Sequence, residues 1–90
     1  MAKRLGVIGI VISEPKTVVA RVNTILSDYG RLIIGRMGIP RPEEKVGVIA
    51  LIVEGDTDEI GALTGKLGNL PGVNVKSALT AHKPEKGENK

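Results

Sequence analysis

Two runs of the chain, RLGVIGIVIS at 4–13 and VGVIALIVE at 46–54, are rich in β-branched residues and apolar without a helical period. Both read as strands. A strand with one wet face alternates apolar and polar residues, and these two do not. In the first run Leu5, Val7 and Val11 face one side, while Ile8, Ile10 and Ile12 face the other. Each run therefore belongs in the interior of a sheet, with apolar surface on both sides to be covered.

The segments around them are of a different kind. In SEPKTVVARVNTILSDYG, the residues Val18, Val22, Ile25 and Tyr29 recur at helical spacing, and Val19 and Leu26 widen the stripe. Ser13 stands where an N-cap is expected, Pro15 suits the first turn, and Gly30 is a natural stop. RLIIGRMG (31–38) is a second strand carrying Arg36, and IPRPEEK (39–45), with two prolines and four charges, is a loop. Asp56 and Glu59 have the spacing of an acidic capping box. Behind them Ile60, Leu63, Leu67 and Leu70 mark one helical face, which Pro71 and Gly72 end. VNVKSAL (73–79) alternates and is a fourth strand.

The order β-α-β-β-α-β predicts an α+β, ferredoxin-like fold: a four-stranded antiparallel sheet with two helices on one face. That topology puts the first and third strands, the doubly apolar ones, in the centre. The edges are left to the strands carrying Arg36 and Lys76, charges that discourage stray pairing. Residues 1–80 form the single domain. The polar, aperiodic residues 81–90, which include the sole histidine, His82, are expected to be a disordered tail.

Composition removes several classes of function. The chain has no cysteine, so thiol chemistry and thiolate metal sites are excluded. Tyr29 is the one aromatic residue, and the central strands offer nothing on which RNA bases could stack. A net charge of +3, spread without a basic block, argues against direct nucleic-acid contact. No apolar run reaches the ~20 residues that span a bilayer. The basic, apolar start fits a strand better than a signal peptide, so the cytoplasm is the expected compartment. No hydroxyl has an evident base beside it, and no catalytic residue, metal site or cofactor is expected.

GALTGKLG (61–68) resembles a phosphate loop only in composition. A Walker A loop needs four residues between its glycines and a hydroxyl after the lysine. Here three separate Gly61 from Gly65, and Leu67 follows Lys66. The stretch also lies inside the second helix, where backbone N–H groups are already bonded. Gly61, Thr64, Gly65 and Gly68 instead cluster beside the leucine stripe, a flat strip that lets another backbone approach. Three contacts fit it: this domain's own first helix or sheet, a neighbouring subunit, or a small ligand. Lys66 lies away from the strip and reads as a solvated lysine.

RMGIPRPEE followed by DEIGALTGKLGNLPGVNVK resembles the signature of the small ACT-like proteins known as iron-only hydrogenase system regulators. The resemblance covers nearly all of the chain before the tail. It implies a ferredoxin-like fold, a dimer or tetramer, and similarity to the ligand-sensing domain of the nickel-responsive regulator. By that similarity the chain would sense or regulate in anaerobic hydrogen metabolism. The histidine and cysteine ligands of that sensor have no counterpart here, nor has its DNA-reading segment. The expectation is a non-catalytic homo-oligomeric module that takes a small-molecule or anionic ligand at a subunit interface. Ser13 and Glu14 at the start of the first helix, with Arg36 and Arg41 to pair an anion, are the candidate contacts. The alternative is an interaction module that docks a protein partner through the open sheet face and has no ligand.

Overall fold

The computed structural model describes residues 3–13, 16–41 and 46–80, with backbone only for Lys16, Thr17, Pro40 and Arg41. Elements follow the order β1 (Arg4–Ile12), α1 (Lys16–Asp28), a single 3-10 turn (Gly30–Leu32), β2 (Ile33–Arg41), β3 (Val46–Gly55), α2 (Thr57–Gly68) and β4 (Val73–Leu79). The sheet runs β2-β3-β1-β4, antiparallel throughout, with β1 and β3 in the centre. This is the expected ferredoxin-like α+β arrangement. The expected tail at 81–90 lies outside the described residues.

The core lies between the sheet and the helices. Ile8, Ile10 and Ile12 of β1 and Ile49, Leu51 and Val53 of β3 meet Val18, Val22 and Leu26 of α1 and Ile60, Leu63 and Leu67 of α2. Each such side chain, fully buried, contributes ~1.5–3 kcal/mol. Among the described residues no polar or charged side chain is buried. α2 starts as its sequence requires. The Glu59 N–H donates to Asp56 Oδ1 at 2.7 Å, and the Asp56 N–H donates to Glu59 Oε1 at 3.3 Å. That reciprocal pair satisfies two otherwise orphaned donors.

The N-cap expected at Ser13 turns on Glu14 and Pro15, which lie outside the described residues. The Ser13 N–H and hydroxyl donate to the Gly72 carbonyl, at 2.8 and 3.3 Å, adding one more rung between the ends of β1 and β4. Two local expectations are corrected. Gly30 does not simply end α1; it opens the 3-10 turn that carries Leu32 into the core, so β2 starts at Ile33. Ile39, Pro40 and Arg41, expected in a loop, continue β2 opposite Val48, Gly47 and Val46. An edge strand tolerates proline because the missing N–H need serve no inner neighbour.

Candidate functional site

The side of the sheet away from the helices is bare and apolar. Cross-strand partners share a face, and the register pairs Val7 with Ile52, Gly9 with Ala50, and Val11 with Val48. The central strands thus leave five large aliphatic side chains in water: Leu5, Val7, Val11, Val48 and Ile52. β2 adds Met37 opposite Ala50 and Ile39 opposite Val48, exposed by 65% and 52%. Gly9 and Ala50 form a shallow central trough, with Met37 at one end of the row and Lys76 at the other.

The candidate ligand contacts that the structure describes, Ser13 and Arg36, are not gathered in one place. Ser13 sits at the end of β1, near the end of the sheet where the Arg41 backbone pairs with Val46. Glu14 and the Arg41 side chain lie outside the described residues. Arg36 stands five residues back along β2, roughly 17 Å from Arg41 at strand rise. A bulge decides which way it faces. The register of β2 shifts between Ile33 and Gly35, which puts Arg36 opposite the buried Leu51. It therefore emerges on the helix side, where Nη2 donates to Asn23 Oδ1 of α1 at 3.3 Å. Asn23 was not singled out in the sequence, because nothing in its local pattern marks it as the partner of a β2 residue.

For the glycine strip the structure narrows the three readings to two. A Cβ placed on Gly61, Gly65 or Gly68 would meet nothing within 4 Å outside its own helix turn. Close packing on the domain's own first helix or sheet is therefore ruled out among the described residues. Glycines inside a helix cost ~1 kcal/mol each relative to alanine, and no contact among the described residues offsets that. With Thr64 they line an open groove of about 440 Å³ against Val73, Asn74, Val75 and Ser77. Lys66, expected to be solvated, lies on another side of α2 with Nζ 5.6 Å from the centre of the Tyr29 ring.

The backbone of β4 borders the same groove. The Ser13 N–H bonds to the Gly72 carbonyl and the Thr80 N–H to the Leu5 carbonyl. In an antiparallel ladder such pairs alternate, so Asn74, Lys76 and Ala78 direct their amides toward β1. Val73, Val75, Ser77 and Leu79 direct theirs outward. Of these, the Val73 N–H is taken by the Leu70 carbonyl at 3.3 Å.

Among the described residues no group of three or more histidine, aspartate or glutamate side chains could hold a metal, and no helix is long and apolar enough to cross a membrane.

Comparison with known proteins gives a consistent result. No curated protein matches the chain. Uncharacterized protein TM1266 from Thermotoga maritima is 37% identical over 88% of this chain and 99% of its own, with a TM-score of 0.85. An unknown protein from Galdieria sulphuraria aligns at 13% identity and a TM-score of 0.59, over 92% of this chain and 48% of its own. The de novo designed protein Foldit4 aligns at 11% identity and a TM-score of 0.53, over 90% of this chain and 99% of its own. At such low identity the last two bear on the fold alone. Residues 4–77, from the first strand through most of β4, match the TM1266-like family model, described as "Iron-only hydrogenase system regulator, putative". The chain belongs to the TM1266-like family of iron-only hydrogenase system regulators.

Proposed function

We propose that the protein is a non-catalytic, cytoplasmic regulatory module that works as a homo-oligomer and takes a small anionic ligand at a subunit interface. The observation carrying this reading is the apolar open face. Its seven exposed side chains present on the order of 600 Å² of apolar surface, the upper end of what monomers leave uncovered. A standard interface takes ~800 Å² from each partner, so one further copy laid on this face is the right size of cover.

The spread of the candidate contacts supports a site shared between subunits. Arg36 and Arg41 are too far apart for one small molecule to touch both in a single chain, whereas a neighbouring copy can bring Ser13 and Glu14 of one subunit to an arginine of the other. Arg36 would trade its bond to Asn23 for a charge-assisted bond to the ligand. The Arg36→Ala variant should keep its assembly and weaken ligand binding about tenfold, by ~1.5 kcal/mol. Lost assembly with unchanged binding would remove Arg36 from the site.

Native mass spectrometry of freshly purified protein reads subunit number and retained mass together. A dimer or tetramer carrying a stoichiometric small mass is the expected result. A bare monomer would contradict the reading and favour the second one, which rests on the same face: a module that docks a protein partner there and has no ligand.

A further inference from the structure

The open face is apolar but not without charge. Of the described side chains that the strand register sets on it, two are charged: Glu54 of β3, opposite Leu5, and Lys76 of β4, opposite Gly9. Both are exposed, and neither forms an ion pair with another described residue. They lie two strands and four residues of rise apart, roughly 16 Å, too far to meet within one chain. Val7 stands halfway between them, one strand and one row of side chains from each.

Building on the reading that one further copy covers this face, we propose that Glu54 of each copy pairs with Lys76 of the other across a twofold axis over Val7. Two sheets packed face to face are related by an axis lying in the plane between them. Only one such axis exchanges two given points, so the charge pair fixes the arrangement. The axis runs at right angles to the line from Glu54 to Lys76, and at ladder spacing it also passes over Met37. Val7 then meets Val7 of the second copy, and Met37 meets Met37, whose unbranched thioether adapts to its own kind. Ile52 of the second copy comes down beside Gly9, in the trough that Gly9 and Ala50 form. The strands of the two sheets cross at roughly 70°, near the orthogonal class of sheet packing.

The occupant is a second copy because the face is complementary to itself. Any other partner would need a base over Glu54 and an acid over Lys76 on the same diagonal, with apolar surface between. A second copy supplies all three by symmetry. Its apolar area, ~600 Å², also approaches the ~800 Å² that a standard interface takes from each side. The two ion pairs lie outside the Val7–Ile52 centre, where charge sets register and excludes wrong partners.

The test is a charge swap in the full chain, read as the Kd of self-association from a native mass-spectrometry dilution series at low salt. Lys76→Glu sets carboxylate against carboxylate at both pairs, and Glu54→Lys sets ammonium against ammonium. Each should raise the Kd at least about tenfold, as like charges brought together at an interface do. Mixed in equal amounts, one of them isotopically labelled, the two variants should associate with each other, because every pair in the mixed species is again opposite in charge. The mixture, and the double variant Glu54→Lys with Lys76→Glu by itself, should both return to within about threefold of wild type. Single variants that associate as wild type does overturn the proposal, and so do losses that the mixture and the double variant do not both restore. Ile52→Lys separates the pairing from the reading beneath it. If that variant dissociates while the single charge variants do not, the pairing is wrong and open-face association stands. If the wild type is monomeric, or Ile52→Lys keeps its subunits, open-face association fails and the pairing fails with it.

Discussion

Glycines in this chain have opposite roles, and substitution separates them. Gly6 lies where β1 and β4 come together, and a Cβ there would stand 2.7 Å from the Ala78 carbonyl oxygen and against the Leu79 side chain. Gly6→Ala should destabilise the fold by ~1–3 kcal/mol in urea unfolding, since the nearest backbone must move. Gly65→Ala meets only open space. Measured on dilute, dissociated protein, it should stabilise by ~0.5–1 kcal/mol, because alanine restricts the unfolded chain and favours the helix. Sequence alone could place the strip beside the leucine stripe, since that follows from helical angle. What the strip faces depends on where β4 lies, which no local pattern encodes. Arg36 illustrates the same limit. Without the bulge at Ile34, strand alternation would turn it onto the open face, away from Asn23.

Among the elements, those with a complete local signal matched best. The boundaries of β4 are those read from its alternation, and α2 starts at the capping box that Asp56 and Glu59 announce. β2 was legible only in part. Proline and charge at its end look like a loop, yet an edge strand has a free side on which both are tolerated. Glu59 also pairs with Arg31 at 3.0 Å, a contact in which the arginine side chain is 67% exposed. The two roles of Glu59 should differ sharply in weight. Asp56→Ala should cost ~1 kcal/mol in thermal or urea unfolding through loss of the cap. Arg31→Ala should change stability by less than ~0.5 kcal/mol, because solvent and salt screen an exposed pair. Equal losses from the two would place the ion pair, not the cap, at the start of α2.

At the scale of the molecule, the sheet has one face built for its helices and one for something outside the chain. That asymmetry was readable from the sequence, since the apolar pairs of β1 and β3 have no second layer of their own to meet. Ile52→Lys, at the middle of the bare face, should reduce the subunit number while leaving the stability of the dissociated chain within ~0.5 kcal/mol, as expected of an exposed site. A large loss of stability in the dissociated chain would mean the face is covered within one subunit.

The rung from Ser13 to Gly72 joins residues 59 positions apart, and it has a consequence for synthesis. β1 leaves the ribosome early, but its partners are β3 and β4, so one of its sides stays unpaired until nearly the whole domain has emerged. During that interval one edge of this apolar strand has no partner, and it is at its most vulnerable to neighbouring nascent chains. A chain stalled before Val73 should therefore accumulate in aggregates or on chaperones, whereas one released after Thr80 should fold. Refolding of the finished chain, with so many distant contacts to close, should be slower than that of a helical bundle of equal length.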